Sequence, residues 1–463
     1  MELDGLLGRL GWADDAELRD VLQAEWASSR DCRPGGAPAF LSPGPVADAC
    51  RDLSLPRIAQ EALLAAAGRV AADPALSALA WHLHYCAFRS DSYPAWGAIA
   101  RWPSADRLTT ALDADGRTFY LLVLTSGLPG MRAIYEARRI PGGVFGDTLG
   151  QLRGELADLH RTQDVWGVSG PDRVQWHRFA LRGELFRLGR LVFQFGLFRF
   201  NVRVFRHRTS RAVVALSEGG VSYLPSGQAD GPGRLAPAGQ WTSELAVEAD
   251  GVTGNPILPA GRAVRRKLRL PAAEWRQVLA RDDPALYIHF PGGGPLTHSL
   301  CGGSFESAMA FFPRHFPDRP CGCFCCDSWV LDSQLQELLP PTSNMVRLQR
   351  EMYLLPYGTH DEALVHVVFG GMPEDAGKAP RDTALQRALL DRIARGGRFH
   401  AGAGAGFILP EDFAWGRQVY IRQELPWAGA DPMASDGMPP PGSDTKRAGP
   451  SAGGDAEGRA PQP

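Results

Sequence analysis

Apolar residues recur at helical spacing through the first third of the chain, then at strand spacing broken by glycine and proline. Asp14-Asp15-Ala16-Glu17 can start a helix, since acidic side chains favour its positive end. Leu18, Val21, Leu22 and Trp26 follow on one stripe. Gly35 to Pro45 reads as loop. Pro56 opens a second helix through Ile58, Leu63 and Ala67, with the proline in its first turn. Asp73-Pro74 starts a third, carrying Leu76, Leu79, Ala80, Leu83 and Ala87. Met131 to Ala137 and the series Leu149, Leu152, Leu156, Leu159 predict two more. Phe119 to Leu124 is a short apolar run without a clear period.

The pattern changes near Trp166 to Pro171. Val174 to Glu184 predicts a helix. Leu188 to Phe195, Phe198 to Phe205 and Ala212 to Leu216 predict neighbouring antiparallel strands. Gly219 to Gly239 reads as a long loop, Trp241 to Val247 as a strand and Ala272 to Leu279 as a helix. The most organised stretch runs from Leu286 to Leu339. A strand, Leu286 to Phe290, stops at Pro291 and is followed by Gly292, Gly293 and Gly294. Ser304 is placed to cap a helix carrying Phe305, Met309 and Phe312. Cys321 to Cys326 predicts a second buried strand, and Trp329 to Leu339 a second helix. Strand, glycine loop, helix, strand, helix is the grammar of a parallel or mixed α/β sheet. Met345 to Leu355 follows, then a strand at Ala363 to Phe369, a helix at Thr383 to Arg395, and a glycine run, Gly402 to Gly406, before Phe407-Ile408-Leu409. From about Gly429 the chain is Pro, Gly, Ser and charge, too poor in large apolar residues to offset the entropy of ordering. The expected organisation is a helical domain over 1–165, a sheet domain over 166–428 and a disordered tail over 429–463.

A glycine loop between a strand and a helix lets backbone amides approach an anion, and a helix start adds unpaired donors. Gly292 to Gly294 and Gly302-Gly303 flank such a start, or they only turn the chain. No GxxxxGK[ST] or GxGxxG string occurs there, which disfavours nucleoside triphosphatases and dinucleotide-binding enzymes. Arg265, Lys267 and Arg269 alternate on one strand face, either a solvated face or a cationic wall beside Gly292. Net charge is −2, from 49 basic and 51 acidic residues, which argues against a nucleic-acid binder driven by bulk charge. No apolar run reaches membrane-spanning length and the first residues lack the pattern of a secretory signal. Eight unevenly placed cysteines fit reduced thiols in a bacterial-type cytoplasm. Cys321, Cys323 and Cys325 fall on one face of their strand and Cys326 on the other, a pattern of packed thiols rather than a metal cluster. His82 and His84 point to different helix faces and have no acidic or cysteine partner at ligand spacing, so no metal site is expected.

IHFPGGGPL, SFESAMAFFPRHFP, CCDSWVLDSQLQELLP and SNMVRLQ, preceded by GELFRLGRLVFQF (Gly183 to Phe195) and GNPILPAGRAV (Gly254 to Val264), resemble the C-terminal half of a bacterial acyltransferase-domain family. That family pairs a helical N-terminal N-acyltransferase domain with a GNAT-like C-terminal domain. The resemblance covers roughly Trp166 to Phe407 and implies an α+β or α/β fold with a mixed sheet flanked by helices. It also implies acyl transfer from acyl-coenzyme A, as co-substrate, to an amine. It does not supply the acceptor, and the expected partner is a small-molecule or peptide amine. No metal is expected, nor nucleic acid or a membrane as a partner, on the spacing, charge and hydropathy given above. The family's usual [RQ]xxGx[GA] pyrophosphate loop is missing between Leu286 and Phe312. Phe290, Gly292, Gly293, Gly294, Gly302, Gly303 and Ser304 are the candidates to replace it. Two other classes stay open: a non-catalytic GNAT-like module binding an acyl thioester or a protein, and an enzyme using another phosphate-bearing donor.

Amine acylation needs a base for the amine proton and donors for the thioester oxygen. His289, at the end of the central strand, is the expected base, because imidazole titrates near neutral pH. A buried histidine satisfied by backbone is the other reading. His298 is a second choice. Ser328 and Asp332, at the next strand–helix junction, are candidates to orient or protonate, and Asn344 to anchor a substrate-side loop.

Overall fold

Aspartates placed before the apolar stripes cap helices. Asp15 accepts from the Leu18 amide at 2.8 Å, and Asp73 from Ala75 and Leu76 at 2.7 and 2.9 Å. The first stripe is split, because Glu25 adopts φ +60° and Trp26 begins a separate helix. The run Phe119 to Leu124 is the centre of helix α1 (Gly116–Thr125). That helix is buried on nearly every face, which is why its sequence shows no period. Helices Arg57–Ala72 and Pro74–Phe88 pack around it. The long α2 (Gly142–Gln163) and then α3 (Pro171–Leu181) lead to the sheet.

This computed structural model describes residues 1–93, 95–112, 114–229, 239–358, 368–369, 377–394 and 404–425. In chain order the main strands are β1 (Leu185–Leu188), β2 (Leu191–Leu197), β3 (Val202–His207), β4 (Val213–Ser217), β5 (Pro256–Leu258) and β6 (Arg262–Ala263). β7 (Trp275–Leu279), β8 (Pro284–His289), β9 (Cys323–Ser328), β10 (Tyr353–Pro356) and β11 (Gly404–Ile408) follow. The central sheet has the order β1-β2-β8-β9-β11-β10. Its β8–β9 pair is parallel and its other pairs are antiparallel. A second, antiparallel sheet runs β6-β5-β4-β3-β7.

Alternation along the strands sorts the core. Leu286, Ile288, Phe324 and Cys326 face one cluster, shared with helix α4 (His298–His315) and the N-terminal helices. Ala285, Cys323, Cys325 and Phe407 face the other, shared with the second sheet. Met1–Gln423 forms one compact unit. Within it the helical part meets the sheet directly: the Tyr135 ring lies 5.9 Å from Phe186, and Thr148 Oγ1 accepts from the Arg187 amide at 3.1 Å. A second unit, Glu424–Pro463, lies almost wholly outside the described residues, as does the tail expected over 429–463.

Three expectations are corrected. Ala272 to Leu279 is not helical: Trp275–Leu279 is strand β7, held against β3, with the Trp275 ring 4.9 Å from His207. Trp329 to Leu339 is not one helix. It is a single 3-10 turn, Trp329–Leu331, and a short helix, Leu335–Leu338. Ser328 and Asp332 bend the chain there by accepting from the amides of Val330 and Gln334. Ser304 is not a cap. α4 begins seven residues earlier than that reading needs, with Thr297 accepting from Leu300. Of the strand expected at Ala363 to Phe369, only Val368 and Phe369 are described, and both are helical.

Candidate active site

β8 and β9 pair in register from Ala285↔Cys323 to Tyr287↔Cys325 and then part. Beyond that point each keeps only its outer neighbour: Ile288 and His289 pair with β2, and Cys326 to Ser328 with β11. The gap opens into a cleft of about 500 Å³. Its walls include Arg190, His289, Phe290, Gly292, Gly294, Asp327, Ser328 and Asn344. Pro291 ends the strand, and Gly293 (φ +84°) and Gly294 (φ +152°) take backbone shapes that L side chains rarely adopt. The loop then enters α4.

One side chain holds this loop. Arg190, from the β1–β2 turn, donates to the carbonyls of Pro291 (2.6 Å), Gly294 (2.7 Å) and Pro295 (3.2 Å). With these carbonyls committed, the amides of Gly292, Gly293 and Gly294 make no hydrogen bond among the described residues. Arg190 has no carboxylate partner among them either. A half-buried guanidinium beside three unbonded amides suits an anion.

His289 Nε2 lies 2.8 Å from Gln194 Oε1, and the Trp176 ring stands edge-on at 4.9 Å. Among the described residues its Nδ1 has no hydrogen-bond partner, and the residue lines the cleft. With Nε2 donating to the amide oxygen, Nδ1 carries the lone pair. Burial lowers the imidazole pKa to about 4, so the ring is neutral at physiological pH. Asp327 reaches solvent at the rim, and partial desolvation holds its carboxyl above the usual range. Burial drives the Cys326 thiol well above its usual pKa, so it offers no thiolate although it lines the cleft.

The remaining candidates lie elsewhere. Asp332 is buried outside the cleft, its carboxylate accepting from the Gln334 amide at 3.0 Å. Gly302 and Gly303 are inside α4, where their amides serve the helix. A Cβ on Gly302 would stand 2.5 Å from the Trp415 ring, so this glycine admits the indole. Ser304 Oγ accepts from the amides of Arg190 (2.8 Å) and Leu191 (3.3 Å) and donates to Leu300. It therefore acts on the site through the turn that presents Arg190. His298 is tied to Glu351 at 2.9 Å and does not line the cleft. The alternating cations are not a cleft wall: Lys267 pairs with Glu244, and Arg269 with Glu248 and Asp250 at 2.7 and 2.6 Å. Sequence reasoning missed Arg190 and Gln194. Both stand inside GELFRLGRLVFQF, and Gln194 is the polar residue amid that apolar strand.

A mixed sheet whose parallel pair parts beside a glycine loop, with a helix following, is the frame of a GNAT-like domain. A family model described as a GNAT-like C-terminal domain matches residues 185–406, and one described as an N-acyltransferase N-terminal domain matches residues 45–183. The chain belongs to the acyltransferase family that joins these two domains. No curated protein matches it. A solved acyltransferase in complex with decanoyl-CoA and teicoplanin has 23% identity and a TM-score of 0.55, over 88% of this chain and 99% of that one. Another, in complex with CoA and 10C-teicoplanin, has 22% identity and a TM-score of 0.55 over the same shares. At these identities the likeness is one of fold. Among the described residues no cluster of His, Cys, Asp or Glu could hold a metal ion. No single helix among them is long and apolar enough to cross a membrane.

Proposed function

We propose that the protein transfers an acyl group from an acyl-coenzyme A thioester to an amine. The observation that carries this is the parted end of β8 and β9, where a cleft, free glycine amides and Arg190 meet. The amides of Gly292 to Gly294, with Arg190 behind them, take the donor's pyrophosphate. The thin pantetheine arm lies between the parted strands, which leave their facing backbone groups free to bond its amides. His289 Nδ1 accepts the amine proton as the new C–N bond forms and the C–S bond breaks, and the sulfur leaves as the coenzyme A thiol. The backbone near Phe290 donates to the thioester oxygen, and Ser328 orients or protonates at the cleft floor. The acceptor is a small-molecule or peptide amine; a solved acyltransferase of similar fold is in complex with decanoyl-CoA and teicoplanin. We assign the reaction to the cytoplasm and keep 1–165 as the helical domain that shapes the acceptor side.

Thermal shift with coenzyme A and acyl-coenzyme A tests the donor site, since a ligand of the native state raises Tm. Release of free coenzyme A over a panel of amines tests the transfer. Absence of any shift at about a hundred times a micromolar Kd, where about 2.7 kcal/mol is expected, would sink the donor assignment. A shift with no release would leave a binding module.

A further inference from the structure

Glu351 is a buried carboxylate that the mechanism above does not use. It lies in the turn between the short helix Asn344–Gln349 and β10. Three donors from two distant parts of the chain meet on it. His298 Nε2, in the first turn of α4, lies 2.9 Å from Oε1. The amides of Gly416 (3.0 Å) and Gln418 (3.3 Å) donate to Oε2. The same turn after β11 reaches α4 in a second way. Trp415 Nε1 donates to the His298 carbonyl at 2.8 Å, and its ring lies 4.9 Å from the His298 ring and 5.1 Å from Phe305. None of Glu351, His298 and Trp415 lines the donor cleft. What they join does line it. The loop from Pro291 to Leu296 makes one wall and runs into α4 at His298. Asn344 and Met345 belong to another wall, on the helix that ends two residues before Glu351.

We propose that Glu351 is a positioning residue for the donor: with His298 and Trp415 it fixes the start of α4, and so the glycine loop, against the helix that carries Asn344 and Met345. The inference rests on the donor reading above. Burying a carboxylate is unfavourable unless its lone pairs are bonded, and an apolar side chain would fill the same space without that penalty. The bonds that offset the penalty all run between segments, to donors 53, 65 and 67 positions away. The two walls can therefore separate only by stripping a buried charge of its partners. Arg190 holds the loop by its carbonyls, and Glu351 holds the helix that the loop enters. A cradle of backbone amides has no side chains to adjust, so its grip depends on where its ends are fixed. A misplacement of about 1 Å caused away from the chemistry is enough to be felt at a site.

The test is calorimetric binding of coenzyme A to the full chain, together with kcat and KM for an acyl-coenzyme A donor and Tm. The variants are His298→Ala, His298→Gln, Trp415→Phe and Glu351→Gln. His298→Ala removes the donor to the carboxylate, and a Gln amide nitrogen can take the place of Nε2. Trp415→Phe keeps a ring against Gly302 and loses the bond to the His298 carbonyl. Glu351 is buried, so its replacement risks the fold, and the His298 and Trp415 variants carry the test if it fails to fold. Coenzyme A affinity should fall about tenfold in His298→Ala and about fivefold in Trp415→Phe. KM for the donor should rise to match, with kcat at saturating donor within about twofold of the unaltered protein. His298→Gln should bind nearly as the unaltered protein does. Unchanged affinity in every variant, with or without a lower Tm, overturns this inference and leaves the donor reading standing. A lower kcat at unchanged KM, without rescue by His298→Gln, also overturns it, because it would put His298 in the chemistry. No binding of coenzyme A by the unaltered protein removes both readings.

Discussion

Two imidazoles, one in each half of the molecule, share a pKa lowered by desolvation and differ in access. His82, in the helical half, is 1% exposed, and burial lowers its pKa to about 3. Its Nδ1 lies 2.8 Å from Ser29 Oγ, the Cys86 sulfur is 3.6 Å from Nε2, and Trp26 covers the ring at 4.8 Å. His289, in the sheet half, is shifted the same way, but it is only half-buried and lines a cleft. A depressed pKa therefore records desolvation alone. What separates the two is whether a lone pair can be reached by a ligand, and the parting of β8 from β9 decides that.

The largest expected effect breaks the symmetry directly. His289→Ala should lower turnover by about 10²–10⁴ with donor affinity nearly intact. His82→Ala should leave turnover unchanged and cost about 2 kcal/mol of stability in a denaturant titration. Equal turnover in the His289 variant would remove the base assignment. Next comes the loop. Arg190→Gln loses a cation and most of its three carbonyl bonds, so donor affinity should fall about tenfold, and KM for the donor should rise more than kcat falls.

Proton uptake sharpens the comparison further. Because His289 is neutral down to about pH 4, the acid limb of kcat/KM should lie below the ordinary histidine value. Gln194→Glu places a carboxylate on Nε2 and should move that limb up by about one pH unit or more; a limb that stays put would mean Gln194 does not hold the ring. The smallest effect is on stability. His82, His84 and His289 all have folded pKa values below their unfolded ones, to about 3, 4 and 4. Their contribution is complete above about pH 6.5 and is lost as pH falls from there towards 4, because the unfolded chain binds the protons. Each subtracts up to about 1.4 kcal/mol per pH unit. Denaturation followed from pH 7 to 4 should show the slope, and His82→Phe should reduce it.

Much of this frame was legible in order along the chain. Strand, glycine loop, helix and strand from Leu286 to Cys326 could be read because both strands are short, largely buried runs and glycine and proline mark the loop between them. Placing His289 and the glycines at one cleft follows from that order. The start of α4 was not legible, since Gly302 and Gly303 look like loop. One of them is glycine because Trp415, over a hundred residues later, packs into the helix there. Ala272 to Leu279 was misread because its strand state depends on pairing with β3 rather than on its own residues. Arg190 was invisible for a related reason: its partners lie about a hundred positions downstream, beyond any window of periodicity.

Ser304, Arg190 and the glycine loop form a closed circuit. The helix after the loop grips the hairpin turn, the turn offers the guanidinium, and the guanidinium fastens the carbonyls from which the helix departs. No member can loosen without releasing the next. Ser304→Ala, ten to twelve residues downstream of the loop's glycines in sequence, should therefore speed amide exchange in that loop and in the turn together, as one foldon. The molecule would lose its donor grip through a hydroxyl that never meets the donor.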